Sequence, residues 1–236
     1  MTLTTKSQEI LEKIHQRGYW RVVIRPTEFQ QERAPLKHLT GCERIVRASA
    51  VRLRGRGYPV VPDGQFARGQ DWIEASAEST STGSIEHWRF FQSGQFVHHF
   101  ACNEDYEPSY SIIFPSQARE GRALLVLGSL FTLTEIFEFT ARLARRDVLV
   151  PGAELSIKLF GTRERCLVFT EPREFLGRCQ IDSIEYPLKT VSTQELLARA
   201  PELALEAAEW IFERFGANFS RELLAQEQQR LLQRNL

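Results

Sequence analysis

At 236 residues and 27.2 kDa, with 42% hydrophobic and 25% charged residues, the chain is long enough to bury a core as one domain or two small ones. Thirty basic residues balance thirty acidic ones, which excludes a phosphate binder working through whole-surface positive charge and makes any nucleic-acid contact local. No apolar run approaches the ~18–20 residues of a membrane span, and MTLTTKSQEILEK lacks a signal peptide's apolar centre, so no membrane contact and a cytoplasmic location are expected.

Ile10, Leu11 and Ile14 at helical spacing predict a short first helix over Ser7 to Arg17, stopped by Gly18. Trp20 to Arg25 is β-rich and Pro26 closes it. Leu36 to Ser49 reads as helix. Val51 and Leu53 alternate with Arg52, Arg54 and Arg56, the period of a half-buried strand, until Gly55, Gly57 and Pro59 break the run. Two polar loops, 62–70 and 76–84, flank a short strand at Asp71 to Glu74.

The clearest local signal follows. Trp88 to Gln92 and Gln95 to Phe100 are aromatic-rich runs around Ser93-Gly94, which predicts a β-hairpin with a two-residue turn. Ala123 to Leu127 then reads as a strand, and Thr132-x-x-Glu135 as the capping box of a helix carrying Leu133, Ile136, Phe137, Thr140 and Leu143. Leu155 to Phe160 and Cys166 to Phe169 around Gly161 to Glu164 suggest a second hairpin, with a further strand near Gln180 to Tyr186. Ser192-x-x-Glu195 caps a helix that Pro201 splits and Gly216 stops, and Ser220 opens a last one, which either packs on its own domain or projects toward a partner.

The expected fold is therefore α+β: a largely antiparallel sheet with hairpins, packed against several helices, with a helical C-terminus. A boundary near 108–121 divides it into a β-rich half, 1–115, and an α+β half, 116–236, within what is also readable as one continuous domain.

Chemistry-bearing motifs are few. There is no P-loop, dinucleotide fingerprint, H-E-x-x-H or G-x-S-x-G. Cys42, Cys102, Cys166 and Cys179 form no C-x-x-C pair and read as buried thiols; no cofactor or metal is expected, and no catalytic residue is assigned. His98-His99 with Glu104 and Asp105 invites a metal, but adjacent strand residues point to opposite faces.

With Ser93-Gly94 as the turn, Phe91 faces Phe96, Arg89 faces His98 and His87 faces Phe100. One face then carries His87, Arg89, Phe91, Phe96, His98 and Phe100, and the other resembles core. The first face is either cross-strand packing or a surface for a phosphate or base, since imidazole titrates near neutrality and guanidinium holds anions. Charge is also blocked: Leu36 to Arg68 holds seven basic residues against Glu43 and Asp63, and Asp71 to Glu107 seven acidic ones against Arg89. Either the blocks pair, or Arg52, Arg54 and Arg56, with Arg47, form a ribbon for a phosphate backbone or an acidic partner.

Leu53-Arg54-Gly55 to Tyr58-Pro59, Glu86 to Phe100 with Glu104-Asp105-Tyr106, Thr134 to Phe139 with Arg142-Leu143-Ala144, and Pro201 to Leu205 with Trp210-Ile211-Phe212 together resemble the carboxy-terminal module of bacterial Schlafen/AlbA-type ATP-binding proteins. The likeness covers most of residues 20–235. The amino-terminal Schlafen-like domain, with its nucleotide or nuclease residues, has no counterpart here, so no catalytic residue transfers. The resemblance implies a bacterial intracellular protein acting beside another factor in regulation or phage defence. The leading expectation is a non-catalytic interaction or sensing module whose partner is a separate effector, an ATPase or nuclease. The alternative is a nucleic-acid-binding protein or metal-independent ribonuclease using His87, Arg89 and His98 with the arginine ribbon.

Overall fold

Alternating burial, rather than local propensity, organises the chain into one large sheet. In the computed structural model, which describes residues 5–79, 84–105, 122–170 and 173–233, β1 (Tyr19–Pro26) buries Trp20, Val22 and Ile24 and pairs on both sides. β7 (Gly152–Phe160) and then β10 (Ser183–Ser192) lie on one flank, and β5 (Phe96–Ala101), β4 (Ser84–Phe91), β3 (Trp72–Ser79) and β2 (Ala67–Arg68) on the other. All six pairings are antiparallel. A second sheet, β6 (Ala123–Leu125), β8 (Cys166–Thr170) and β9 (Arg173–Arg178), pairs β6 with β8 in parallel.

Helices cover both faces of the large sheet. α1 (Thr5–His15) lays Ile10 and Ile14 against Ile85 and Ala101, over β3 to β5. The opposite face meets α2 (Leu39–Ser49), α3 (Val126–Ala144) and α4 (Thr193–Glu213), and α5 (Arg221–Gln233) closes on α3 and α4. One apolar core runs from Trp20 to Leu231, so the halves 1–115 and 116–236 share a sheet and an interior. The boundary stretch at 108–121 lies outside the described residues.

The α+β fold with an antiparallel sheet is as expected. The Ser192 hydroxyl accepts the Glu195 N–H, Arg199 breaks the α4 backbone ahead of Pro201, and Gly216 follows at φ +75°. α5 packs inward: Leu224 and Leu231 are buried, and the Gln228 amide donates to Thr134 Oγ1 and the Pro201 carbonyl. All four cysteines are free and buried.

Four local expectations are corrected. Val51 to Arg56 is not a strand; Val51 and Tyr58 exchange backbone hydrogen bonds of 2.9 and 2.7 Å across an isolated bridge that closes a loop. β3 extends through Ser79, into the first part of the expected 76–84 loop. α3 starts at Val126, so Thr132 and Glu135 lie inside the helix and cap nothing; the Leu125 N–H at its start goes to Glu104 Oε1 at 3.0 Å. β7 and β8 do not form a hairpin, because Gly161, at φ +69°, turns the chain out of one sheet and into the other.

Candidate functional site

The aromatic hairpin forms, but one residue out of the expected register. Phe90 pairs with Phe96, Arg89 with Val97, Trp88 with His98 and His87 with His99. The loop is Gln92-Ser93-Gly94: Phe91 N–H donates to the Gln95 carbonyl and Gly94 N–H to that of Phe91, each at 2.9 Å, with Gly94 at φ +85°. A left-handed third residue is what a three-residue hairpin loop requires. Gln92 belongs to the loop because its amide group donates to the Leu36 and Lys37 carbonyls at 3.0 and 2.8 Å. A one-residue slip transfers one strand's side chains to the opposite face. The candidate residues therefore separate: His87, Arg89 and Phe91 point toward the α1 side with Val97 and His99, while Phe96 and His98 point toward α3 with Trp88, Phe90 and Phe100. His87, Arg89, Phe96 and His98 are buried and Phe91 is half-buried, so the open imidazole surface is not formed.

On the α1 side the charges are consumed locally. Arg89 pairs with buried Glu74 through Nε at 2.9 Å and through Nη2, and its guanidinium lies 3.9 Å from the Trp72 ring centroid. Ser7 donates to the other Glu74 oxygen at 2.6 Å, and His87 Nδ1 lies 3.0 Å from Ser76 Oγ. Burial pushes the His87 pKa down to about 4, helped by Arg89 and His98 and opposed by Glu74. Burial, then His15, His98, His87 and Arg21, lowers His99 to about 3. Both rings are neutral at neutral pH.

On the α3 side a polar cleft opens within the apolar core. The 51–58 loop sends Arg54 onto α3, where Nε meets Glu135 Oε2 at 3.1 Å, Nη2 bonds the same oxygen, and Nη2 also donates to Thr132 Oγ1 at 3.1 Å. Glu86 accepts the Val60 N–H at 2.7 Å and lies 3.5 Å from His98 Nε2. The His98 ring sits 5.1 Å from that of Tyr58 and 4.7 Å from that of Phe100. Arg56 makes no hydrogen bond or ion pair among the described residues; burial and Arg54 lower its pKa, while Glu86, Glu135 and Glu104 oppose them. Burial raises the Glu104 carboxyl. A cavity of about 30 Å³ remains, lined among others by Arg54, Arg56, Glu104, Ser129, Thr132 and Phe100. Ser129 Oγ, Glu135 Oε1 and the Tyr58 hydroxyl are buried without a hydrogen-bond partner among the described residues.

The arginine ribbon is thus divided: Arg52 is exposed, Arg54 is engaged with Glu135, and Arg56 alone faces the cleft unengaged. The charge blocks meet only in part, through Arg56 beside Glu86 and Glu104, whereas Arg68 pairs with Glu43 inside its own block. Asp105 is used structurally, taking the Arg165 fork at 2.9 and 2.7 Å and the Gly18 N–H at 2.7 Å. No group of three or more metal-ligating side chains occurs among the described residues, nor a helix long and apolar enough to cross a membrane. Tyr58, Glu86, Glu104, Ser129, Thr132 and Glu135 were not identified as site residues from sequence. For three of them the available signal is the spacing of Ser129, Thr132 and Glu135, three residues apart in a largely apolar stretch of α3. Comparison with known proteins finds no matching family model, no matching curated protein and no matching solved structure.

Proposed function

We propose that the chain is a non-catalytic sensing and interaction module of a bacterial intracellular regulatory or defence system, working with a separate effector protein. The observation that carries this reading is the α3 cleft. Its unengaged charge is a guanidinium, which stays charged and holds rather than exchanges protons, while Arg54 and Glu135 are paired at α3 and Glu104 is held at the end of β6. Such a cleft can bind and report. Occupying it acts on the 51–58 loop and on the start of α3, two elements joined directly by Arg54.

The ribonuclease reading needs His87, Arg89 and His98 on one open surface. His98 lies across the sheet from the other two, and all three are enclosed. The test pairs two measurements on the purified full chain and on the tagged chain in its host. Cleavage of labelled RNA and hydrolysis of ATP are expected to stay at background, while the tagged chain copurifies in fixed ratio with an ATPase or nuclease. Turnover by the chain alone, with no such complex, overturns the reading. RNA retention is expected to be indifferent to salt; a steep salt dependence points to phosphate contacts and hence to the alternative.

A further inference from the structure

The geometry points to the α3 cleft as a site for a small molecule carrying an oxyanion, a carboxylate or a phosphate, received by the Arg56 guanidinium and the Ser129 hydroxyl at the start of α3. This deepens the reading of the chain as a sensing module, since the oxyanion is then what is sensed. Four independent features converge. Arg56 is a half-buried guanidinium with no acceptor among the described residues, and a desolvated donor without a partner is unfavourable. Ser129, 2% exposed, lines the same cavity, and its buried hydroxyl has no hydrogen-bond partner among the described residues. α3 is 19 residues long and begins beside the cleft without a side-chain cap of its own, so the positive end of its dipole adds to Arg56. Trp20 and Phe100, ring centroids 6.3 Å apart and planes 13° apart, supply an apolar wall for the rest of the ligand.

Size limits the ligand. A space of about 30 Å³ takes the oxygens of one carboxylate or one phosphate face. It does not enclose a whole nucleotide, so any larger remainder lies outside the cavity. The carboxylates nearby set the sign of the electrostatics. Glu135 is matched by Arg54, and Glu86 is held by the Val60 N–H. Glu104 lines the cavity with one oxygen on the Leu125 N–H, and it competes directly with an incoming anion for the helix end and for Arg56.

Calorimetric titration of the full chain with inorganic phosphate and with propionate, at ionic strength held constant with sodium chloride, tests this. Saturable binding of at least one anion is expected, weakened at least tenfold in Arg56→Gln and several-fold in Ser129→Ala. Binding is expected to tighten several-fold in Glu104→Gln, which keeps the amide-accepting oxygen but removes the competing charge. Phosphate alone, or propionate alone, identifies which oxyanion is the ligand. The absence of saturable binding to either, or binding that Arg56→Gln and Ser129→Ala leave unchanged, overturns the proposal, as does a Glu104→Gln variant that binds more weakly. A denaturation midpoint measured without ligand separates loss of binding from loss of folding in each variant. Copurification with an effector is scored separately, so the site can fail while the module reading stands.

Discussion

Individual buried charges fix the geometry around the sheet, and their removal is expected to be costly. Arg165 is wholly buried, divided between Asp105, the Ala123 carbonyl at 2.7 Å and the Gly161 carbonyl at 3.2 Å, and it joins the small sheet to the end of β5. Arg165→Ala leaves buried Asp105 with the Gly18 N–H and the largely exposed Arg122, 3.5 Å away, in place of the buried guanidinium fork, and urea denaturation is expected to register a loss of about 3–5 kcal/mol. The two neutral histidines set an acid limit. Their folded pKa values lie below the ordinary 6.5, so the unfolded chain binds more protons between that value and about 4 for His87 or about 3 for His99. The contribution of these two rings to stability is therefore complete above pH 7 and falls with decreasing pH, by up to ~1.4 kcal/mol per pH unit for each ring. Glu104 acts in the opposite sense, because its raised folded value gives stability that is present at low pH and lost as pH rises through that value. The difference in slope between the parent and a His87→Asn, His99→Gln variant isolates the imidazoles; equal slopes from pH 6 to pH 4.5 contradict their placement.

Among the elements, those with a local signature were legible and those set by long-range contacts were not. α1, β1, α2, the α4 cap with its break near Pro201, and the start of α5 all follow from caps, breakers and periodicity carried within a few residues. The start of α3 does not: Leu125 has no capping side chain, and the carboxylate that takes its N–H arrives from Glu104, 21 residues earlier. The β7–β8 hairpin fails because pairing depends on sheet partners, and β8 finds β6 and β9 instead. The register of the aromatic hairpin was readable by a criterion other than turn length. A three-residue loop gathers Trp88, Phe90, Phe96 and Phe100 onto one face, whereas a two-residue turn divides them. Gly94→Ala tests the loop: a Cβ at φ +85° meets Arg33 Cδ and Pro26 Cγ at 3.0 Å, and a loss of about 1–2 kcal/mol or more is expected. A neutral result contradicts the left-handed conformation that the three-residue loop places at Gly94. Deleting 221–236 uncovers the core contacts of Leu224 and Leu231 and leaves Thr134 without Gln228, so an insoluble product is expected; a soluble monomer contradicts inward packing of α5.

At the scale of the molecule, one sheet with helices on both faces decides which chemistry-bearing residues meet. Arg54 and Arg56 were legible as candidates, yet their companions come from β4, α3 and the turn after β5, brought together by tertiary packing that no spacing along the chain encodes. His87 and Arg89 were equally conspicuous in the sequence, but the sheet gives them to α1 and to Glu74. The account rests on this division of the imidazoles between two enclosed faces, with the Arg56 cleft as a polar cavity lined by the 51–58 loop and the start of α3. Diethylpyrocarbonate labelling of the native chain, read residue by residue by mass spectrometry, tests it directly because the five histidines serve as internal controls. The exposed rings of His15 and His38 are expected to react rapidly, while His87 and His98 stay protected until the protein unfolds. Labelling of His98 and His87 at the rate of His38 contradicts the enclosed hairpin and restores the open surface that a ribonuclease needs.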